Sequence, residues 1–336
     1  MTAAVPVIDI SGFAQGDEAA RTRIAKQVST ALEEIGFLVV QGHNVNPKSI
    51  AALREQAWGF FDLPLAEKMC SRKPIKGSFR GYVTADDENL TYMQNEAAPS
   101  DLKEFFGFGK FDYGDDPYYR QSFADLAFTP NIWPEQPFDL KPAAMQFYRE
   151  MESLTEQILR IFEKGLGLDQ GFFRDKFFRH ASTVRLLNYP NQAEDPLPGQ
   201  LRCGAHYDFT AITLLAVDNA PGGLQVQSRA GDWIDIPLVD NGIVLNIGDL
   251  MANWTNDLWR SGLHRVVNPP RDIRGSTRRL SLVYFVNPNY DAIIECLPGC
   301  QDASHPALYA PVKAGEHRVQ KILTATSGQL VSDAAE

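Results

Sequence analysis

The chain has 336 residues, of which 44% are hydrophobic and 22% are charged, and this composition is typical of a soluble globular protein. Its length is sufficient for a full hydrophobic core in one large domain or two ordinary ones. The formal net charge of −10 at pH 7, without a run of lysines and arginines, argues against nucleic acids and acidic membranes as partners. The sequence also contains no apolar stretch of the roughly 18 to 20 residues that a membrane span requires.

The first residues of the chain and its cysteines bear on the cellular compartment. Residues 1–9 have neither the basic start nor the apolar segment of a secretory signal. Four cysteines in a chain of this length favour a reducing compartment over a disulfide framework. We therefore expect a cytoplasmic protein.

The first half of the sequence combines helical patterns with a long irregular stretch. In chain order, the predicted elements are a strand at residues 5–10, a helix at residues 18–34, a buried strand at residues 37–40 and a helix at residues 47–61. Residues 73–137 are rich in Gly, Pro, Asp and aromatic side chains, so we expect long loops there with little regular structure. Residues 142–166 repeat apolar positions at intervals of three and four, which predicts a helix with one buried face.

After residue 181 the hydrophobic pattern changes from that of helices to that of strands. The β-rich runs are residues 182–189, 205–217, 224–227, 243–247, 264–267 and 279–287. Pro, Gly, Asn and Asp separate these runs, which is typical of an antiparallel sandwich or barrel. No linker rich in Gly and Ser divides the chain, so we expect the helical part to brace the strands. A helical spacing returns at residues 312–323.

A His-x-Asp motif lies in one of these predicted strands, at residues 206–208. Alternate residues of a strand point to the same face, so His206 and Asp208 should project together. Two ligands on one strand with a third from elsewhere is the layout of the two-histidine, one-carboxylate triad that binds non-haem Fe(II). His264 begins another predicted strand and is the best third ligand. An isolated His-x-Asp motif is common by chance, so a second observation is needed.

Arg279 and Ser281, at the start of the last long predicted strand, provide that second observation. They share a face with Val283 and Phe285, so a guanidinium and a hydroxyl should point inward among apolar neighbours. A buried guanidinium requires an anion, and its planar fork of donors binds a carboxylate bidentately. The simplest interpretation is a carboxylate on a ligand. A structural ion pair with a distant acidic residue is the alternative.

Together with further motifs along nearly the whole chain, these residues resemble the isopenicillin N synthase-like branch of the Fe(II)/2-oxoglutarate-dependent oxygenases. The motifs stand in the order and approximate spacing of that family. They are Pro6-Val7-Ile8-Asp9, Gly36-Phe37 with His43, Phe60-Phe61-Asp62-Leu63-Pro64 through Lys68, Asp101 through Glu104, Asn188-Tyr189-Pro190, Gly222-Gly223-Leu224-Gln225-Val226, Asn246-Ile247-Gly248-Asp249, Thr255-Asn256-Asp257 and Asn287-Pro288-Asn289-Tyr290.

The resemblance implies a role for each candidate site residue. The iron ligands would be His206, Asp208 and His264, which are also the catalytic centre. The distal carboxylate of 2-oxoglutarate would be held by Arg279 and Ser281, with a further hydroxyl from Tyr189. These side chains would make Fe(II) the cofactor, with 2-oxoglutarate and O2 as cosubstrates.

The resemblance also implies a fold and a domain organisation. The fold class is mainly β with α, a double-stranded β-helix or jelly roll braced by N-terminal and central helices. An N-terminal mixed region with long loops would occupy residues 1–175 and pack on the barrel. The jelly-roll core would occupy residues 176–310, and a C-terminal helix and tail would follow at residues 311–336.

The reaction that such a site performs can be stated physically. Three protein ligands leave three octahedral positions on the metal, of which a 2-oxo acid fills two and O2 the last. The implied reaction oxidises a small-molecule substrate, by default through hydroxylation, and releases succinate and CO2. Desaturation, ring closure and ring expansion are the other outcomes. The carboxylate of Asp208 argues against a halogenase-type site, which needs room for chloride.

Three alternatives use the same metal ligands. Family members that form isopenicillin N, or ethylene from an aminocyclopropane acid, are similar at Arg279 and Ser281 but do not consume 2-oxoglutarate. A non-catalytic jelly roll that binds a metal or a small ligand is the second alternative. Zn(II) also suits two histidines and an aspartate, although an oxo-acid anchor would then have no evident purpose.

Aromatic and basic residues of the irregular segment are candidate substrate contacts, namely Phe79, Arg80, Tyr82, Phe106 and Phe108. Such side chains would line a pocket for a small, partly apolar molecule, with Arg80 facing an acidic group of the substrate. The alternative is that they pack in the core, where aromatic side chains are more often found.

Overall fold

The protein combines eight described α-helices with two facing β-sheets. This computed structural model describes residues 4–72, 80–84, 99–121, 127–192 and 194–327, with helical side chains up to residue 321. The helices are α1 (Ser11–Gln15), α2 (Glu18–Glu34), α3 (Pro47–Phe61), α4 (Leu65–Cys70), α5 (Leu140–Gly165), α6 (Arg174–Phe177), α7 (Asp249–Trp254) and α8 (Ala314–Ser327). None of these helices is long and apolar enough to cross a membrane.

Local sequence signals explain where the two N-terminal long helices begin and end. The Asp17 side chain accepts a hydrogen bond of 2.8 Å from the backbone N–H of Ala20 and so caps helix α2. That helix stops before Gly36, whose φ of +76° favours glycine. Helix α3 begins with Asn46 as its cap and Pro47 as its first residue, where a missing N–H is harmless. Both helices have the bounds that the sequence predicts.

Fourteen described strands form two main sheets and one two-stranded sheet. The strands are β1 (Val7–Asp9), β2 (Phe37–Gln41), β3 (Gly81–Val83), β4 (Glu104–Gly109), β5 (Thr183–Tyr189), β6 (Cys203–His206), β7 (Ile212–Val217), β8 (Leu224–Gln227), β9 (Trp233–Asp235), β10 (Ile243–Ile247), β11 (His264–Val266), β12 (Arg279–Val286), β13 (Ile293–Ile294) and β14 (Val312–Lys313). The large sheet has the order β1-β2-β10-β7-β12-β5-β4-β3, and the small sheet has the order β6-β11-β8-β9.

The two main sheets pack face to face through an inner hydrophobic core. Leu215, Val244 and Val283 of the large sheet meet Val226 and Val266 of the small sheet there. Apolar residues on the opposite face of the large sheet contact helices α2, α3 and α5 in a second core. Strand β12 illustrates the alternation, since Leu280, Leu282 and Tyr284 belong to the helix-facing core and Val283 to the inner one. The helices therefore cover the outer face of the large sheet, and its inner face packs against the small sheet.

Two segments differ from the sequence-based prediction. Residues 73–137 were expected to form loops, but strands β3 and β4 lie within them and extend the large sheet beyond β5. Strand β4 reads Glu-Phe-Phe-Gly-Phe-Gly and is buried on both faces, so it lacks the alternation that marks a half-buried strand. The predicted run at 205–217 is two strands, β6 and β7, which belong to different sheets.

Candidate active site

His206, Asp208 and His264 converge between the two sheets. Strand β6 ends at His206 and strand β11 begins at His264, and the two residues are direct partners in the antiparallel register. Asp208 follows β6, and its Oδ1 lies 3.8 Å from His206 Nε2 and 3.7 Å from His264 Nε2. The three side chains are almost fully buried. They form a group of three potential ligand atoms within 4.8 Å of one another, which is close enough to hold one metal ion.

Both histidine rings are oriented by hydrogen bonds to the main chain. His206 Nδ1 lies 2.8 Å from the carbonyl oxygen of Gly204, and His264 Nδ1 lies 2.9 Å from that of Gly262. A carbonyl oxygen only accepts, so each Nδ1 carries the proton and each Nε2 keeps its lone pair. The two free lone pairs belong to the atoms that face Asp208. This arrangement is that of a metal-binding imidazole with its outer hydrogen bond already made.

The two oxygens of the Asp208 carboxylate have different surroundings. Its Oδ2 accepts hydrogen bonds from Thr213 Oγ1 at 2.6 Å and from Asn246 Nδ2 at 2.7 Å. The other oxygen, Oδ1, faces the histidines. The backbone beside it is also closely packed, since a Cβ at Gly248 would lie 2.6 Å from the Asp208 carbonyl oxygen. Glycine is therefore required where the chain passes behind the aspartate.

The charge states of the triad suit a divalent cation. Burial lowers the pKa of His264 to about 4, and the neighbouring His206 lowers it further than Asp208 raises it, so the ring is neutral near pH 7. Burial acts to raise the pKa of Asp208, but the two histidines and the hydrogen bonds from Thr213 and Asn246 outweigh it and lower that pKa. A neutral imidazole beside a carboxylate is ready to bind a metal without losing a proton first.

Arg279, Ser281 and Tyr189 line the same cavity as the triad. Arg279 is 2% exposed, and its Nη1 makes only long contacts of 3.4 Å to the carbonyl oxygens of Ala220 and Gly222. Its Nε has no hydrogen-bond partner. In the described part of the chain the guanidinium forms no ion pair at hydrogen-bonding distance, and the charge of the partly buried Asp218 carboxylate interacts with it from further away. A buried guanidinium with an unused donor fits an anionic ligand. Burial raises the pKa of the Tyr189 phenol, which keeps it a hydrogen-bond donor.

The residues predicted to contact substrate lie elsewhere. Tyr82, Phe106 and Phe108 are fully buried in the helix-facing core, and Arg80 donates to the carbonyl oxygens of Ala127 and Thr129. None of these four residues lines the cavity around the triad. Tyr82 on β3 and Phe106 and Phe108 on β4 project from the helix-facing side of the large sheet, whereas the triad lies on its other side. Phe79 lies outside the described residues.

Other residues, which the sequence-based prediction missed, line the cavity instead. Arg185 and Leu187 stand on strand β5 in alternation with Tyr189, so the predicted position of Tyr189 could have identified them. Arg185 lies over the Phe105 ring, with 4.6 Å between its guanidinium carbon and the ring centroid. Arg318 reaches the same region from helix α8. Nothing in the local sequence pattern relates Arg318 to the triad, because the contact depends on how the C-terminal helix packs.

Comparison with known proteins gives the family. The family model described as the 2OG-Fe(II) oxygenase superfamily matches residues 181–288, which include the triad and Arg279. A model described as non-haem dioxygenase in morphine synthesis N-terminal matches residues 5–136. The 2-oxoglutarate-Fe(II) type oxidoreductase hxnY of Emericella nidulans is 32% identical over 92% of this chain and 86% of its own length. The chain belongs to the 2OG-Fe(II) oxygenase superfamily.

Further relatives of this 2OG-Fe(II) oxygenase support the fold and the reaction type. Validamycin A dioxygenase of Streptomyces hygroscopicus subsp. limoneus is 30% identical over 96% of this chain and 86% of its own length. The crystal structure of a full-length Neurospora crassa protein in complex with alpha-KG and thymine is similar with a TM-score of 0.82 at 32% identity, over 95% of this chain and 96% of that one. The predicted jelly-roll fold class is confirmed, as an eight-stranded and a four-stranded sheet with helices rather than a closed barrel.

The protein is therefore an Fe(II)- and 2-oxoglutarate-dependent oxygenase, with Fe(II) as cofactor and O2 as the second cosubstrate. The residues of this 2OG-Fe(II) oxygenase fit that set of ligands. Two imidazole nitrogens and one carboxylate oxygen are the donors of a facial triad for non-haem iron. The unused donor of Arg279 in the same cavity suits the carboxylate of a 2-oxo acid.

Thr213 offers a test of the support around Asp208. We expect Thr213→Val to weaken Fe(II) binding about 10- to 100-fold, because the valine leaves Asp208 Oδ2 with one hydrogen bond fewer. Anaerobic calorimetric titration with Fe(II) measures the change. Thr155→Val is a matched control, since this buried threonine bonds the Met151 carbonyl oxygen inside helix α5. Equal iron affinities for the two variants would contradict the prediction.

Proposed function

We propose that His206, Asp208 and His264 hold the iron of this oxygenase and that the enzyme hydroxylates a small molecule beside them. The observation that carries this proposal is the convergence of two Nε2 atoms and one carboxylate oxygen in a buried cavity. Each of the three side chains has its outer hydrogen bonds made within the protein. The donor atoms that remain therefore have a metal as their natural partner.

We further propose that Arg279 binds the distal carboxylate of 2-oxoglutarate, with Ser281 and Tyr189 as additional hydroxyl donors. Arg279 and Ser281 are two residues apart on strand β12, so both side chains project from the same face of the sheet. Tyr189 is the direct cross-strand partner of Arg279 on β5. A guanidinium and two hydroxyls can then satisfy a carboxylate from three directions.

The protein contributes placement and exclusion of water. Bound Fe(II) supplies the redox chemistry that couples the conversion of 2-oxoglutarate to succinate and CO2 with oxidation of the substrate. Leu187, Leu215, Val266 and Val283 line the cavity with apolar surface and keep bulk water away. Hydroxylation is the default outcome of such an oxidation.

Two finer assignments accompany this proposal. The order of the motifs along the chain supports a place in the isopenicillin N synthase-like branch of the superfamily. The catalytic core would span residues 176–310, which include strands β5 to β13, between an N-terminal region of residues 1–175 and a C-terminal segment of residues 311–336. Four strands of the large sheet, β1 to β4, come from that N-terminal region.

Anaerobic titration tests the proposed function. We expect addition of Fe(II) and then 2-oxoglutarate to give a weak visible charge-transfer band, and aeration to release succinate. Asp235→Ala, which alters an exposed carboxylate on β9, should leave both signals unchanged. Metal binding without a band and without succinate would contradict the proposal and favour a zinc site or a ligand-binding role. Substrate oxidation without succinate would favour an oxidase of the isopenicillin N synthase type.

A further inference from the structure

A second cavity adjoins the triad on the side that faces helix α8. His206 and Asp208 form one wall, and the remaining described lining residues are Thr183, Arg185, Phe209, Thr210, Phe285, Asn287 and Arg318. The cavity therefore brings two guanidinium groups beside the proposed iron ligands. Among the described lining residues the one carboxylate is that of Asp208, whose Oδ2 accepts hydrogen bonds from Thr213 and Asn246 and whose Oδ1 faces the histidines.

Arg318 is a buried cation in this wall. It is 9% exposed, and its Nη1 makes one long hydrogen bond, of 3.3 Å, to the carbonyl oxygen of Ala181. Its burial, together with the charges of Arg80 and Arg185, lowers the pKa of Arg318 to about 9. Three guanidinium groups thus influence one another inside the protein. A negative group of a ligand beside Arg318 would offset the burial of its positive charge.

Other residues of helix α8, before and after Arg318 in the sequence, dock the helix on the rest of the protein. His317 Nε2 lies 3.1 Å from Asp249 Oδ1, and Lys321 Nζ lies 2.6 Å from the other oxygen of the same carboxylate. Gly315 packs directly on the Tyr290 ring, where a Cβ would lie 2.4 Å from ring atoms. The position of Arg318 at the cavity is therefore fixed by the docking of the helix and does not depend on Arg318 itself.

The rest of the cavity wall is partly apolar. Phe209 and Phe285 provide aromatic surface, and Thr183 and Asn287 provide neutral polar groups. These groups match the part of a ligand in which one anionic group adjoins an apolar surface. A guanidinium recognises a carboxylate by two parallel hydrogen bonds, which a neutral amide of the same shape cannot form as strongly.

We infer that the substrate of this oxygenase is a small carboxylic acid whose carboxylate binds Arg318, with Phe209 and Phe285 against its apolar part. This inference rests on the proposed function of the triad, since it places the substrate beside His206 and Asp208. It assigns Arg318 as the residue that selects acids over neutral molecules. The distal carboxylate of 2-oxoglutarate has a separate partner, Arg279, on strand β12.

Matched acid and amide probes test the inference. The pairs are benzoate and benzamide, phenylacetate and phenylacetamide, and cyclohexanecarboxylate and its amide. Each probe is titrated anaerobically into the full chain loaded with Fe(II) and saturating 2-oxoglutarate, and the shift of the visible band gives its dissociation constant. We expect at least one acid to bind about tenfold more tightly than its amide, the range of a charge-assisted hydrogen bond.

Variants of Arg318 then test whether this residue causes the preference for acids over amides. Arg318→Gln should remove the acid preference while the 2-oxoglutarate affinity stays unchanged, and Arg318→Lys should retain part of it. Lys313→Gln is the matched control, because it removes an exposed cation paired with Glu316 beside the same helix. The control should bind acids as the unaltered protein does.

Two results would overturn the inference. One is an affinity for acids no higher than for amides in the unaltered protein, for all three pairs. The other is an acid preference that survives in Arg318→Gln, or an acid that abolishes the visible band by displacing 2-oxoglutarate. If Arg318→Gln does not fold, the comparison in the unaltered protein and the Arg318→Lys variant decide. Failure of the proposed function is distinguishable, because then no visible band forms before any probe is added.

Discussion

Replacing Asp208 with alanine is expected to abolish iron-dependent turnover and to weaken Fe(II) binding more than 100-fold, a loss on the order of 3 kcal/mol or more. The variant keeps two neutral imidazoles but loses the negative oxygen that lies 3.7 and 3.8 Å from them. Two buried donors, Thr213 Oγ1 and Asn246 Nδ2, also lose their acceptor. Iron content after anaerobic loading and succinate release on aeration measure the two effects.

The controls for Asp208→Ala separate metal binding from folding. Near-ultraviolet circular dichroism of the metal-free variant should match that of the unaltered protein, because the histidines keep their bonds to Gly204 and Gly262. Asp208→Glu retains the charge but moves the oxygen by one methylene, so it should recover part of the iron affinity. Normal iron content and turnover in Asp208→Ala would remove Asp208 from the ligand set.

The second large effect is expected from Arg279→Ala, which should raise the dissociation constant for 2-oxoglutarate about 10- to 100-fold. The guanidinium lies in the cavity with an unused Nε donor, and its loss removes a charge-assisted partner of the carboxylate. Fe(II) affinity should be nearly unchanged, because Arg279 does not contact the triad in the structure. Titration of the visible band with 2-oxoglutarate measures the effect.

Arg278→Ala is a close control for Arg279→Ala. Arg278 does not line the cavity. It pairs with Asp62 at 2.5 Å, and its guanidinium lies over the Trp58 ring. Its removal should leave the affinity for 2-oxoglutarate intact. Arg279→Lys keeps the charge without the planar fork and should fall between the alanine variant and the unaltered protein. If Arg279→Ala lowers stability without changing the response to 2-oxoglutarate, its role is structural.

The elements that the sequence predicts well are those fixed by local signals. Helices α2 and α3 have caps and stop residues within their own sequence, and strands β8 and β10 are short runs bounded by turn residues. The pairing of His206 with Asp208 was predicted from strand geometry, and the two side chains do converge, although β6 ends at His206 and Asp208 lies just after it. The position of His264 beside them required the pairing of β11 with β6, which the strand pattern suggests but does not determine.

The residues that the sequence did not identify depend on tertiary packing. Phe106 and Phe108 are aromatic and lie in a segment without clear period, so their burial in the core and a place in a pocket were equally compatible with the sequence. Strand β4 acquires its conformation from pairing with β5, which is more than 70 residues later in the chain. Arg318 reaches the cavity because helix α8 docks beside it, and no local sequence pattern predicts that docking.

The hydrogen bonds from the two histidines to Gly204 and Gly262 have an evolutionary consequence. Their acceptors are main-chain oxygens, which no substitution of a neighbouring side chain can delete. Side chains that surround the reaction centre, such as Phe209, can therefore be exchanged without tilting either ring. Selection can thus alter what the pocket accepts while the metal-binding geometry is inherited unchanged, which suits a scaffold shared with an enzyme named for validamycin A.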